Sequence, residues 1–539
     1  MIKPLMDLPQ LIEALSDPVV YAPDQVGMVE VRQTHISAVF LAGRHVCKIK
    51  KPVRLDFLDF STLEKRRHFC EEEVRLNRRL APHVYLGVVP VVRTAQGIRL
   101  GGSGDVIEWA VKMQRLPDAA TFLERLRKGD VDASLAETLA RRIASFHQSA
   151  ETNDRIAGFG RFENVAKTMM DIFDEAAPRV GVTVSASVFG EVKRLTEETL
   201  ARLRPLIEAR AARGVPRDCH GDLHLDHVYV FPDEKPPGDL VIIDCIEFNE
   251  RLRSIDPVAD VAFCVMDFAF HGRRDLSRSF AEAYFRAAGD DQGRALLPLY
   301  TAYRATVRGM VEGIVLGEKE VPKAESAQTL EKARAHWLLA LAELADPGRK
   351  PCLLLVGGLP GTGKSTLAQG LSQHAGFEVI RSDVVRKELA GIRIDEKTPP
   401  HLRETIYTPE WTDRTYAECL RQAEQLLWEG KRVIVDATFH TEAQRRPFLE
   451  AALRWGVPAG MLVCRTDPEI LRQRLATRKH DVSDADWSVH LQLAEEWEEP
   501  AAPVGRPPLQ QVHFISTKGS AEQNLSQALT VLRELGLRE

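Results

Sequence analysis

The chain has 539 residues, of which 44% are hydrophobic, 28% charged and 7% aromatic. At roughly 100 to 200 residues per domain this excludes a single core and predicts about three to four compact units, with too much apolar material for long-range disorder. Lys and Arg total 72 against 77 Asp and Glu, a net charge of −5, so no global basic excess marks a nucleic-acid binder. No stretch reaches the ~18 uninterrupted apolar residues of a membrane span and the opening residues do not read as a leader, so a soluble, cytoplasmic protein with no membrane partner is expected. The eight cysteines (47, 70, 219, 245, 264, 352, 419, 464) stand singly with no C-x-x-C pair, which predicts reduced, buried thiols.

The segments up to about Val92 are strand-rich around one helix. In His45-Val-Cys-Lys48-Ile-Lys50, alternation puts Lys48 and Lys50 on one face of a strand. In the helix that follows, Phe69, Glu73, Leu76 and Leu80 form one stripe. Glu73 therefore points inward, where a lone carboxylate is costly without a cation, and a Lys48–Glu73 pair satisfies both groups. From Ala119 the sequence is mostly helical. It then reaches Cys219-His220-Gly221-Asp222-Leu-His224-Leu-Asp226-His227, a Pro/Gly turn, and the strand-like Leu240-Val-Ile-Ile-Asp244.

This order resembles the aminoglycoside phosphotransferases and other protein-kinase-like small-molecule kinases, with their H-G-D-x-x-x-x-N loop and a strand ending in a metal-binding Asp. The resemblance makes Asp222 the base for an acceptor hydroxyl, Asp244 a Mg²⁺ ligand, Lys48 the lysine that reaches the nucleotide's α/β-phosphates, and Glu108 to Met113 the hinge beside the nucleotide. His227 stands where the family carries Asn, and imidazole is a poor ligand for Mg²⁺. The turn in VRQTHISAVF lacks glycine, leaving Thr34, His35, Ser37 and backbone to meet a phosphate. His147 reads as a packed structural histidine, and His224 and Asp226 as shaping the loop.

An Ala-rich stretch, Ala324 to Leu344, carries Leu330, Trp337, Leu341 and Leu344 at helical spacing and ends at the breakers Asp346-Pro-Gly-Arg-Lys350. Beyond it CLLLV, EVIRSD, RVIVDA, GMLVCR and HFIST alternate with amphipathic helices, which argues for a parallel sheet covered on both faces. The first of these strands runs into Gly358-Leu-Pro-Gly361-Thr362-Gly363-Lys364-Ser365-Thr366. Its glycines let backbone N–H groups wrap a phosphate, Lys364 reaches the β- and γ-oxygens, and Ser365 offers a hydroxyl to Mg²⁺.

The next strand ends at Asp383, with Arg386 one turn on. Here the chain resembles the P-loop kinases related to zeta toxin, polynucleotide 5′-kinase and adenylylsulfate kinase. The resemblance makes Asp383 the acceptor-activating base and Arg386 a ligand for a substrate anion or polar group, with a helix cap as the alternative for Asp383, a role that can coexist with the first. Asp436 matches an acid that holds Mg²⁺ or orients the acceptor, or is another cap. Arg474 and Arg478 share a helix face where the resemblance places a lid over the transferring phosphoryl group, with a solvated basic face as the alternative. The segment Ala390 to Trp411 could be an acceptor flap or an inert excursion.

The expected architecture is a two-lobed α+β kinase-like domain over 1–320 (small lobe about 20–112, helical lobe about 113–320), a helical connector over 321–348, and an α/β P-loop kinase domain over 349–539. The expected function is transfer of the γ-phosphoryl group of ATP or GTP, with Mg²⁺, to a hydroxyl of a small metabolite at two sites. The alternatives are one catalytic P-loop half with a nucleotide-sensing or recruiting N-terminal half, or a regulatory ATPase.

Overall fold

The computed structural model describes residues 7–22, 26–55, 58–317, 323–477, 486–500 and 510–538. Contacts divide it into two compact units: Met1–Asn164, Pro205–Cys264 and Ser279–Arg294 form one, and Val165–Arg204, Val265–Arg278 and Ala295–Glu539 form the other. Among the described residues no helix is long and apolar enough to cross a membrane. All eight cysteines are buried and none is in a disulfide.

The first unit is built on a six-stranded antiparallel sheet in the order Glu30–Gln33, Ser37–Ala42, His45–Lys50, Asp105–Gln114, Tyr85–Thr94, Gly97–Leu100. Alternation splits its side chains between two apolar clusters. Cys47 and Ile49 join Leu11, Leu15, Tyr21 and Phe40 on one side; Val46, Val111 and Met113 join Cys70, Val74 and Tyr85 on the other. The second cluster is covered by the helix Leu63–Asn77. Its Thr62 cap accepts from the Lys65 N–H, and Cys70, Glu73, Val74 and Asn77 are buried at helical spacing. The segment expected to be a hinge is instead strand: Glu108–Met113 lies inside Asp105–Gln114 and pairs with both neighbours. Downstream, Val228–Val230 and Leu240–Ile242 form an antiparallel pair, as do Arg217–Asp218 and Ser254–Ile255.

The second unit holds a five-stranded parallel sheet in the order Glu378–Arg381, Arg432–Asp436, Cys352–Gly357, Ala459–Arg465, Gln510–Ser516. The central strand, Cys352–Gly357, is buried at every position, as a strand covered on both faces must be. Leu354, Ile434 and Leu462 pack against Leu367, Leu371, Val531 and Leu532 from the covering helices. This unit also contains the helices Leu297–Val315 and Lys323–Leu344. Their close approach depends on Gly309, where a Cβ would lie 2.8 Å from the Trp337 ring. Trp337 is itself 1% exposed and packed beside Phe173 and Phe189. Gly309→Val is expected to destabilise the chain by about 1–3 kcal/mol through overpacking, read as a lower urea midpoint; an unchanged midpoint would mean that the two helices separate at no cost.

Candidate functional site

Three segments distant in sequence meet in the first unit. Lys48 Nζ lies 2.8 Å from Asp244 Oδ1 and 3.0 Å from Glu73 Oε1, while Lys50 Nζ lies 2.7 Å from Glu73 Oε2 and also bonds Glu247. The single Lys48–Glu73 pair read from the sequence is therefore one link in a chain of five charges. Glu73 is fully buried and Lys50 nearly so, whereas Lys48 retains 15% side-chain exposure, which leaves Lys48 as the lysine nearer solvent. Burial disfavours charge on both lysines, yet the facing carboxylates hold them above their ordinary values. Glu73 is likewise lowered by Lys48 and Lys50 against its burial, whereas burial prevails at Glu247 and raises it.

Asp244 follows the strand Leu240–Ile242 and takes a left-handed backbone, φ 66°, a conformation that surrounding contacts must enforce. Its N–H donates to the Tyr85 hydroxyl at 3.1 Å, and the next N–H, of Cys245, donates to Asn77 Oδ1 at 2.8 Å. Burial would raise the Asp244 carboxyl, but Lys48 outweighs it and holds the group below the usual carboxylate range. Opposite lies the segment His220 to His227. His224 Nε2 is 2.9 Å from Asp222 Oδ1, His227 Nδ1 is 2.9 Å from the Asp222 carbonyl oxygen, and His227 Nε2 is 3.9 Å from Asp244 Oδ2.

The loop that carries Asp222 hangs from one buried carboxylate. Asp260 Oδ2 accepts from the His220 N–H and faces His147 Nε2 at 3.0 Å, and its Oδ1 accepts from the Gly221 N–H. His147 has Tyr284 on its other nitrogen. Gly221 sits at φ 90°, and a Cβ there would come within 2.9 Å of the Leu252 carbonyl. Burial would raise Asp260, but His147 and the loop N–H bonds bring it down to about 2. His220 is fully satisfied as a neutral ring, with Nε2 against the Ile243 carbonyl and Nδ1 accepting from the Asp222 N–H. Burial accordingly pushes its pKa down to about 4.

In the second unit the strand Cys352–Gly357 runs into the glycine turn. Gly358, Gly361 and Gly363 have φ of 134°, 84° and 89°, and a Cβ on Gly358 would lie 2.6 Å from the Cys464 carbonyl oxygen, so the turn has no room for a side chain there. Lys364 opens the helix Lys364–Ala375 and its Nζ donates to the Leu359 carbonyl at 3.0 Å. Gly361, Gly363, Lys364, Ser365, Thr366 and Arg474 line a cleft of about 280 Å³, and Thr362 closes the turn by donating to Leu359 O at 2.7 Å. Arg474 donates through Nη2 to the Thr517 carbonyl, while its Nη1 is buried with no partner among the described residues. A buried guanidinium nitrogen left open beside a glycine cradle suits a phosphate oxygen.

Strand register brings Arg381 level with Asp436. Arg381 Nε is 3.5 Å from Asp436 Oδ2 and its Nη2 donates to Ser365 Oγ at 3.3 Å. Burial raises the Asp436 carboxyl, with Lys364, Ser365 and Arg381 opposing. Ser365 and Asp436 are hard oxygen donors of the kind Mg²⁺ takes. Neither acid serves as a helix cap: the helix Ser382–Leu389 is capped at Arg381, and the one after Asp436 at Thr441.

Family models match both halves: "Phosphotransferase enzyme family" over residues 58–300 and "AAA domain" over 353–500. Uncharacterized proteins of Mycobacterium tuberculosis and Mycobacterium bovis are 31% identical over 509 residues, covering 94% of this chain and 95% of theirs. The chain belongs to this two-domain family. It is a phosphotransferase-family domain followed by a P-loop kinase-like domain, which places it among phosphotransferases. Among solved structures, a choline/ethanolamine kinase family protein from Mesorhizobium loti is 14% identical, covers 63% of this chain and 99% of its own, and has a TM-score of 0.36. A gluconokinase from Sinorhizobium meliloti is 18% identical, covers 35% and 95%, and has a TM-score of 0.26.

In this phosphotransferase several expected residues sit otherwise than the sequence suggested. Met113, read as part of a nucleotide hinge, is a core residue against Cys70 and Val74, because the strand continues through it. Glu108 is buried in a pair with Arg66, Nε to Oε2 2.8 Å. Arg386, expected to hold a substrate anion, is 7% exposed, donates to the Ile406 carbonyl and Thr412, and lies over the Tyr407 ring. Arg478, expected beside Arg474 on the lid, lies outside the described residues.

Glu247, Asp260 and Arg381 escaped sequence reasoning, as did the shared role of Lys50. Glu247 is visible as the second acid of the apolar run IIDCIEF, and Asp260 as the lone acid of PVADVAFCV. Arg381 gave no signal beyond its place at a strand end.

Because His220 is held neutral, its contribution to stability is complete above about pH 6.5 and is lost as the pH falls toward about 4. The loss is up to about 3 kcal/mol. Urea midpoints of wild type and His220→Gln measured from pH 7 to pH 4 should converge toward acid; parallel curves would show that His220 does not titrate on unfolding.

Proposed function

We propose that the chain is an ATP-dependent kinase with two phosphoryl-transfer sites, each moving the γ-phosphoryl group to a hydroxyl of a small metabolite. The observation that carries this reading is the convergence of Lys48, Asp222 and Asp244 from three distant segments, matched in the second unit by a glycine cradle with Lys364, Ser365 and Asp436.

In the first site Lys48 holds nucleotide phosphate, and Asp222 accepts the proton of the attacking hydroxyl. Asp244, with His227 beside it, holds the metal ion. In the second, Gly358 to Thr366 wrap the phosphates and Lys364 and Arg474 meet the transferring group, while Ser365 and Asp436 hold Mg²⁺ and Asp383 takes the acceptor's proton. In both, the acceptor oxygen bonds to the γ-phosphorus as the bond to the bridging oxygen breaks, and ADP leaves with the displaced charge. A divalent metal ion held by these residues would neutralise charge developing on the phosphates.

A second reading, in which only the P-loop half is catalytic, is favoured by His227, which stands where the family's oxygen ligand belongs. Phosphoryl transfer from labelled ATP across pooled sugars, aminoglycosides, nucleosides and 5′-hydroxyl oligonucleotides separates the two. Lys364→Ala and Asp222→Ala should each lose one set of products by about 100-fold or more and retain the other. Products lost only in Lys364→Ala would leave the first unit as a binding module.

A further inference from the structure

Asp244 and His227 divide their polar atoms in a way that a magnesium site does not require. Asp244 Oδ1 is taken by Lys48 at 2.8 Å, while among the described residues Oδ2 receives no hydrogen bond and faces His227 Nε2 at 3.9 Å. That distance is too long for a hydrogen bond, yet within the ~4.2 Å that two metal–ligand bonds of about 2.1 Å can span. On the far side of the ring, Nδ1 lies 2.9 Å from the Asp222 carbonyl oxygen. A carbonyl only accepts, so the proton of the neutral ring sits on Nδ1 and the lone pair on Nε2 points toward Asp244. A histidine whose outer nitrogen is fixed by a backbone carbonyl, with its inner nitrogen open beside a carboxylate, has the arrangement that orients metal-ligating imidazoles.

The carboxylate is as rigidly set as the ring. The left-handed backbone of Asp244, the Tyr85 hydroxyl on its N–H and Lys48 on Oδ1 leave Oδ2 little freedom to turn away. An Asn in place of His227 would present an amide oxygen, the donor Mg²⁺ prefers. Imidazole instead favours divalent ions of the first transition row.

We propose that His227 Nε2 and Asp244 Oδ2 jointly ligate a divalent transition-metal ion, of the Mn²⁺, Co²⁺ and Zn²⁺ class, that this site binds with nucleotide in preference to Mg²⁺. The proposal rests on the reading of the first unit as a nucleotide site and adds the identity of its metal. His227 is then a ligand that sets metal choice, and the second unit, whose candidate ligands Ser365 and Asp436 are both oxygen donors, keeps the ordinary preference for Mg²⁺.

The test uses the full-length chain with Mn²⁺ and a non-hydrolysable ATP analogue, read by pulsed electron paramagnetic resonance. Imidazole ligation gives a directly bonded ¹⁴N modulation on Mn²⁺. That modulation is expected in wild type and in Lys364→Ala, and is expected to vanish in His227→Asn. The ratio of Mn²⁺ to Mg²⁺ affinity should also fall about tenfold or more in His227→Asn. Asp244→Asn, checked for an unchanged unfolding midpoint in the absence of metal, should bind one Mn²⁺ fewer. Spectra without ¹⁴N modulation in wild type, with that Mn²⁺ still lost in Asp244→Asn, would overturn the role of His227 and leave the kinase reading standing. An unchanged number of bound Mn²⁺ in folded Asp244→Asn would overturn both.

Discussion

Glu73 carries a carboxylate into a place with no water to share its charge, and much of the first unit is arranged around that fact. An isolated buried carboxylate is prohibitively costly, so the fold must supply cations at hydrogen-bonding distance. Lys48 and Lys50 supply them from one face of the strand His45–Lys50, which fixes that strand against the helix Leu63–Asn77. The same lysines hold Asp244 and Glu247, so the segment after the strand Leu240–Ile242 is tied into the same cluster. Two lysines face three carboxylates, and the least compensated of them is Glu247, where burial prevails over Lys50, whereas Lys48 holds Asp244 ionised. Removing one lysine would strand a buried acid, which is why these contacts act as one unit and not as separable pairs.

The P-loop unit reaches a comparable electrostatic result by other means. Among the described residues its glycine turn is not lined by a buried chain of alternating charges; it uses backbone. Gly358, Gly361 and Gly363 adopt conformations that turn N–H groups inward, and the helix that begins at Lys364 adds the positive end of its dipole. Arg474, with one nitrogen on a carbonyl and another open, completes an electropositive surface. In this unit the acid, Asp436, is buried beside Ser365 and has Arg381 against it.

How much of this could be read from sequence depends on whether the determinant was local. The glycine turn, the strand before it and the helix after it are adjacent in the chain, so their spacing alone placed them. The alternation in His45 to Lys50 put both lysines on one face, but it could not say that Glu73 would take both, because Glu247 arrives from almost 200 residues away. The resemblance reads Glu108 to Met113 as the hinge between lobes, whereas the strand Asp105–Gln114 continues through it. Glu108 in this strand is buried only because Arg66 arrives from the helix Leu63–Asn77 to pair with it, a partner that the local sequence does not show. Asp383 and Asp436 were each compatible with a cap, and only the positions of the true caps, Arg381 and Thr441, set that reading aside.

Arg386 and Lys387 show a different limit. Lys387, 2% exposed, donates to the Glu396 carbonyl at 2.7 Å, and Arg386 donates to the carbonyl of Ile406. Two neighbouring cations on the helix Ser382–Leu389 thus hold the segment Ala390 to Trp411 at two interior points, Glu396 and Ile406. The bonds go to backbone carbonyls, which every residue type provides. The side chain of Ile406 is itself 1% exposed, and Ile392 and Thr398 are also buried, so packing of the segment's own residues holds it alongside the two anchors. The path of the segment is therefore set jointly by Arg386 and Lys387 and by the buried residues of the segment itself.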